Sequence, residues 1–508
     1  MLIRDACVWP PRGWQPRSWQ HSAHLAAEAA LARLPRSDVR LAGGLVAECG
    51  PTLRPEPGEE VMEADGGVLL PGLHDHHVHL RALAAAAASV TVGPPRVRTD
   101  AELAARMRAA DADLPPGAWL RAVGYHESVA GVLDRHALDR LLPHRPVRVQ
   151  HRGGALWTVN SLAASRLGLD QCDAAGVERD DRGRPTGRLW RMDRWLATRV
   201  PATPADLGAV SMEAAALGIT GFTDATPGAT AHDLAALADA PIKQRLCCMA
   251  PPAVRPPKTI TAGPVKIMLD DLTLPSLDEL ADQIRDGHAA GRPAAVHCVT
   301  RVQLVLTLAA LDLAGRLPGD RIEHGAVIGS DSLPDLRGLT VVTQPHFVAE
   351  RGEQYTADVA AEDLPDLWRL RSLIDAGVAV AAGSDAPFGS ADPWGVMRAA
   401  VRRAAPFGPA ESVSPGRALA LFLGEPAAPA VQRLVAPGQP ADLALLRAGP
   451  REMLGCLASD LVAATFIGGE IAYARLALAR ARRSRSPCQT THDDSLPARR
   501  PRRASGVP

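Results

Sequence analysis

Hydrophobic positions along this chain follow two rhythms. Near both ends they form short runs broken by glycine and proline. The first run, Leu2 to Val8, predicts a strand. A helical spacing follows at His24 to Leu34, and then two strand-like runs, Val39 to Leu41 and Leu45 to Ala47, are joined by Gly43-Gly44. The far end mirrors this. Pro437-Gly438-Gln439-Pro440 leads into Ala441 to Leu446, and Leu461 to Ile467 and Glu470 to Tyr473 flank Gly468-Gly469, a hairpin signal. The two ends are therefore expected to pair into one small β-sandwich, residues 1–68 and 418–475, with an insertion at 9–38.

Between the ends the rhythm changes. Short apolar runs alternate with amphipathic helical ones, the pattern of a parallel α/β barrel. The predicted strands are Val68-Leu70, Val147-Gln150, Thr220-Thr223, Val265-Met268, Ala294-His297, Arg321-His324, Thr340-Gln344 and Val378-Ala382, with Trp119 to Val123 assigned to an insertion after the first unit. Eight strands imply a (β/α)8 TIM-type barrel, drawn over residues 69–417. Residues 476–508 are rich in Arg, Ser and Pro and are expected to form a disordered basic tail.

Composition narrows the function. The formal charge is zero over 508 residues, which argues against a general nucleic-acid or membrane-surface binder. No apolar run approaches the roughly 20 residues of a membrane span. The first residues show no secretory core, and the eight cysteines are scattered without a CxxC, as expected of reduced thiols in a cytoplasmic protein. Of 56 basic residues only Lys243, Lys258 and Lys266 are lysines, so a surviving lysine hints at a position where a guanidinium cannot serve.

The chemistry begins at His74-Asp75-His76-His77-Val78-His79. His77 and His79, two apart, share one face of a strand. Neutral imidazoles suit zinc, iron, nickel or copper and not magnesium or calcium. Asp75 lies on the same face and could orient a ligand from behind. His74 and His76 have the opposite parity and are expected to face the barrel wall or solvent. Further on, strand ends finish in Lys266, His297, His324 and Asp385, spaced at about one β/α unit or two. Each alone has an ordinary reading: a core histidine, a salt-bridged lysine, a turn aspartate. All of them at the same end of successive units would converge on one point, the catalytic end of such a barrel.

With these residues in place, Pro71-Gly72-Leu73-His74-Asp75-His76-His77-Val78-His79 resembles the PG-x-x-D-x-H-x-H opening of the amidohydrolase superfamily. Lys266, His297, His324 and Asp385 match its later positions in order. Gly176 to Asp180, Pro185-Thr186-Gly187, Val159-Asn160-Ser161, Gln344-Pro345-His346-Phe347, Gly383 to Pro387 and Pro437 to Leu443 resemble its YtcJ-like (amidohydrolase 3) group. The likeness covers roughly residues 38–473. It implies one or two divalent metals, most often zinc. By resemblance His77, His79 and Asp385 hold the more buried metal, His297 and His324 hold the second, and Lys266, carboxylated on its amine, bridges them.

The implied reaction is hydrolysis of a C–N bond in a small molecule, an amide, cyclic amide or N-acyl group, by a metal-activated hydroxide. Asp385 acts as general base and then acid. His346 either contacts the carbonyl oxygen or makes a structural hydrogen bond. Tyr125, His126 and Asn160 are candidate substrate contacts, while Trp157 is assigned to packing. A deaminase or a lactone or ester hydrolase is the alternative, and a non-catalytic scaffold a more distant one. A homodimer is the family tendency. The chain also departs from the group: Ala155 stands where a histidine is common, and Cys298-Val299-Thr300-Arg301 replaces Ala-x-Gly-Asp. Both changes fall around the substrate pocket.

Overall fold

The computed structural model describes residues 1–9, 31, 34–202, 205–403 and 407–475. The helix expected at 24–34 and the tail at 476–508 lie largely or wholly outside them.

The two chain ends do pair. Strands Leu2–Val8, Arg36–Ala42, Leu45–Gly50, Val61–Glu63 and Val68–Pro71 join Leu443–Leu446, Val462–Ile467 and Glu470–Ala474 in one eight-stranded sheet. The seam is antiparallel pairing of Leu70 with Ala444. The tight turns at Gly43-Gly44 and Gly468-Gly469 have all four residues at positive φ, 58° and 79°, then 60° and 78°, conformations that cost glycine little. The sheet also curls: Leu45–Gly50 returns to the segment before Leu443, with Val46 N–H donating to Gln439 O at 2.9 Å. The pairing thus runs through a single sheet.

Eight strand positions form the barrel-type array, in two parallel arcs. One arc runs Leu73–Val78, Ile219–Asp224, Arg245–Cys248, Ile260–Ala262. The other runs Val265–Ile267, Ala294–Cys298, Arg321–His324, Thr340–Thr343, Ala379–Ala382. Ile260–Ala262 and Val265–Ile267 share one strand position, interrupted where Gly263-Pro264 breaks the ladder. Between the last strand and the first, two backbone bonds join the edges, Asp385 N to His77 O (2.8 Å) and His79 N to Ala386 O (2.9 Å).

Three assignments change. Val68–Pro71 belongs to the terminal sheet, and the His-rich segment itself is the first barrel strand. The break is Gly72, where a Cβ would sit 2.1 Å from the Thr220 side chain. Val147–His151 lies in a six-stranded inserted sheet with Leu120–Tyr125. The third barrel strand is Arg245–Cys248, whose sequence RLCC has no β-branched residue and opens on a charge, so its strand signal is weak.

Helices cover the outside. Capping boxes at Thr99/Glu102, Thr230/Asp233 and Ser276/Glu279 start three of them. The helix Leu277–Ala289 buries Leu280, Ala281, Ile284 and Gly287 against the barrel core, which includes Val265, Val296 and Ile322. Among the described residues no helix is long and apolar enough to cross a membrane.

Candidate metal centre

The ends of the first and last strands are locked together at the level of the backbone. Oδ1 of Asp75 accepts from His77 N (3.1 Å) and from Ser384 N (2.9 Å). Burial raises the Asp75 carboxyl to about 6, against the pull of those hydrogen bonds. Asp75 therefore orients the strand ends rather than an imidazole. This clamp brings His79 Nε2 to 3.2 Å and His77 Nε2 to 3.6 Å from Asp385 Oδ1. One donor atom from each of His77, His79 and Asp385 fits within 4.8 Å of the others. Burial alone would raise the Asp385 carboxyl, but His79, His324 and His77 around it hold it well below the usual range.

His324 reaches the same point by an unusual route. Along a regular strand Glu323 and His324 would face opposite sides. His324 instead has φ 69°, in the left-handed region, and Asp385 has φ 50°. Both are non-glycine residues in a conformation that persists only when surroundings fix it, which is common at functional sites. As a result the His324 ring centre lies 4.7 Å from that of His77 and 4.7 Å from that of His297.

Two imidazoles are held with a nitrogen to spare. His77 Nδ1 is hydrogen-bonded to Glu323 Oε2, and His324 Nδ1 to Gln344 Oε1 at 2.8 Å. An acceptor on Nδ1 fixes the proton there and leaves Nε2 bare for a cation. His77 Nε2 is buried and has no hydrogen-bond partner among the described residues; neither has Nζ of Lys266. Buried polar atoms are almost always paired, so these orphans call for a missing partner. Burial keeps His77 neutral, its pKa pushed down to about 3, and lowers the Lys266 ammonium. A set of imidazoles, one carboxylate and one amine fits a divalent transition ion.

The comparisons agree with this geometry. The family model described as "Amidohydrolase family" matches residues 60–473. The chain belongs to the amidohydrolase family. It is a metal-dependent hydrolase acting on carbon–nitrogen bonds. It is 24% identical over 495 residues to an N-substituted formamide deformylase of Arthrobacter pascens, covering 82% of this chain and 91% of that one. It is 23% identical over 404 residues to the YtcJ protein of Bacillus subtilis (strain 168), covering 68% and 76%. In structure it resembles an uncharacterized metal-dependent hydrolase from Pyrococcus furiosus, with a TM-score of 0.64, 18% identity, and 88% and 99% of the two chains covered.

Other residues singled out from the amidohydrolase pattern fall elsewhere. His74 and His76 are buried, the wall rather than the solvent alternative: His74 Nε2 meets Thr223 Oγ1 at 2.9 Å, and the His76 ring nitrogens have no hydrogen-bond partner among the described residues. The parity argument is weakened by a bulge, since the pairing with Ile219–Asp224 slips between Asp75 and Val78. Of the two readings of His346, the structure contains the hydrogen bond. His346 Nε2 donates to Ser384 O at 3.1 Å, which leaves Nδ1 bare and unable to donate to a carbonyl oxygen.

The three substrate-contact candidates are also spent internally. Asn160 is fully buried; its Oδ1 accepts from Val147 N and Ala163 N, and its Nδ2 donates to Leu142 O and Arg145 O. Tyr125 is buried, and its hydroxyl donates to Gly131 O at 2.5 Å. His126 caps the short helix Glu127–Ala130 through Nδ1. His126, Glu127 and His151 cluster tightly enough for a cation. However, the Nδ1 atoms of His126 and His151 accept from Ser128 N and Gly153 N, so in the neutral rings both Nε2 atoms carry protons. They face Asp358 at 3.5 Å and Glu127 at 3.0 Å as donors, not as ligands.

Glu323, Gln344 and Arg321 were not anticipated. The signal for Glu323 was present: two charges, Arg321 and Glu323, two apart in a strand that is otherwise buried.

Proposed function

We propose that this amidohydrolase hydrolyses an amide, cyclic amide or N-acyl bond at a zinc centre of one or two ions. The observation that carries the reading is the pair of orphaned buried donors, His77 Nε2 and Lys266 Nζ, beside Asp385. His77, His79 and Asp385 would hold one ion and His297 and His324 a second. Lys266, carboxylated on Nζ, would bridge them; the carboxylate replaces a cation that would repel metal, and only a primary amine can be so modified. A closed eight-strand barrel that begins at Leu73–Val78, with the β domain built from both chain ends, Val68–Pro71 included, beside it, is part of the same proposal.

Such an ion supplies Lewis acidity, lowering the pKa of water toward about 7 and polarising a carbonyl. Asp385 takes a proton from the attacking water at its carboxylate as the new C–O bond forms. It returns that proton to the substrate nitrogen as the C–N bond breaks, so the amine leaves neutral. Asp75 and His346 position the Asp385 loop through backbone contacts. Glu323 and Gln344 hold the two imidazoles in the tautomer that leaves Nε2 free.

The test is elemental analysis of the purified chain together with a hydrolysis screen over amides, cyclic ureas and lactones. Bound zinc and chelator-sensitive amide cleavage are expected. A metal-free chain with no chelator effect would sink the reading, and cleavage of lactones alone would replace it with the ester alternative.

A further inference from the structure

A cleft of about 1500 Å³ opens where the inserted sheet meets the last barrel units. Its wall includes Pro387-Phe388-Gly389, directly beyond Asp385, and the Phe388 ring centre is 5.4 Å from that of His79. Among the described residues seven arginines and two glutamates line it, so the cleft favours negative charge.

Arg152 and Arg351 are neighbours in this wall. Burial, and after it the charge of Arg351, pushes the Arg152 guanidinium down to about 10. Neither arginine makes an ion pair with a carboxylate among the described residues. Arg152 donates to Gln354 Oε1 at 3.3 Å. Arg351 lies 3.9 Å over the Phe347 ring, donates to Phe388 O and is hydrogen-bonded to the Tyr355 hydroxyl. The nearby acids are engaged elsewhere: Glu127 with His151, Asp358 near His126, Glu350 with Ser390 N, Glu353 near Arg98. Asp358 and Glu127 act on Arg152, and Glu350 on Arg351, through charge alone and without a direct ion pair; a shared anion would pair both guanidiniums through charge-assisted hydrogen bonds.

We infer that Arg152 and Arg351 form an anion subsite, and that the substrate is an amide carrying a carboxylate at a distance from the scissile bond. The inference rests on the amide-hydrolase reading above and narrows its substrate class. The bond from Arg351 to Phe388 O ties the subsite to the segment that carries Asp385, which fixes the span between the carboxylate and the reacting carbonyl.

The experiment uses the zinc-loaded full chain and matched probes, the D and L forms of N-formyl- and N-acetylphenylalanine against their carboxamides. The expected result is at least a 30-fold preference in kcat/KM for the acid over the carboxamide in one enantiomeric series. In Arg152→Gln that ratio drops at least tenfold, mainly through KM, and Arg152→Lys recovers part of it. No acid preference in the wild type, or an unchanged ratio in Arg152→Gln, would overturn the subsite while leaving the hydrolase intact. A calorimetric titration with phenylacetate and phenylacetamide decides independently of turnover. Saturable phenylacetate binding that weakens at least tenfold in Arg152→Gln supports the subsite even if no probe is cleaved, an outcome that would instead count against the amide-hydrolase reading. Equal binding of both probes overturns it.

Discussion

Glu323 accepts a hydrogen bond from Nδ1 of His77 across 246 residues of sequence, and its other oxygen takes Nε of Arg321. All three side chains are buried. Burial alone would raise the Glu323 carboxyl; Arg321, and then His77, hold it well below its ordinary value. The carboxylate thus fixes the proton of His77 on Nδ1 and leaves Nε2 bare, 3.6 Å from Asp385 Oδ1.

Glu323→Gln keeps the volume and removes the charge. Outer partners of metal-bound imidazoles are typically worth about 10–100-fold in metal affinity. We expect a loss of that size in a chelator competition titration. Arg321 would also lose its counter-charge, at a cost of about 3–5 kcal/mol in stability. Unchanged zinc affinity would show that Glu323 serves only the fold.

Lys266→Ala should reduce the metal content of the zinc-loaded chain by at least one ion, read by elemental analysis. Lys266→Arg should do the same, because a guanidinium keeps the charge but cannot be carboxylated. Two ions per chain in either variant would remove Lys266 from the bridge.

Much of this was legible in the sequence, for reasons that differ from element to element. The terminal strands declared themselves through Gly-Gly turns, and Leu2–Val8 and the hairpin at Gly468-Gly469 lie where the pattern puts them. His77, His79, Lys266, His297, His324 and Asp385 could be proposed as a set because each lies at or just beyond a strand of a repeating unit. Arg245–Cys248 was hidden because its few residues carry no β-branched signal. Gln344 was hidden because its role depends on the left-handed turn of His324, a backbone feature that side-chain periodicity does not encode. The cap made by Asn160 was hidden because a polar residue in a family motif reads equally as a substrate contact or as a helix cap.

Asn160→Ala tests that last assignment. The change removes a cap and leaves buried backbone groups at Val147, Leu142 and Arg145 without their partner. Each such group costs about 1–3 kcal/mol and the cap about 1 kcal/mol. We expect a loss of at least about 2 kcal/mol in urea unfolding, with KM moved less than threefold. A tenfold rise in KM at unchanged stability would return Asn160 to the substrate pocket.

Asp385 and His346 lie close together, and their variants should separate chemistry from positioning. Asp385→Asn removes the proton carrier, so kcat should fall at least about 100-fold, the lower range for general acid–base catalysis. His346→Gln retains an N–H that can reach Ser384 O, the bond the ring makes through Nε2. Its kcat should therefore stay within about tenfold of the wild type, and His346→Ala, which leaves Ser384 O unpaired beside the Asp385 loop, should fall further. Steady-state kinetics on one shared amide substrate rank the three. If His346→Gln falls as far as Asp385→Asn, the imidazole takes part in the reaction and its bond to Ser384 O must break during turnover.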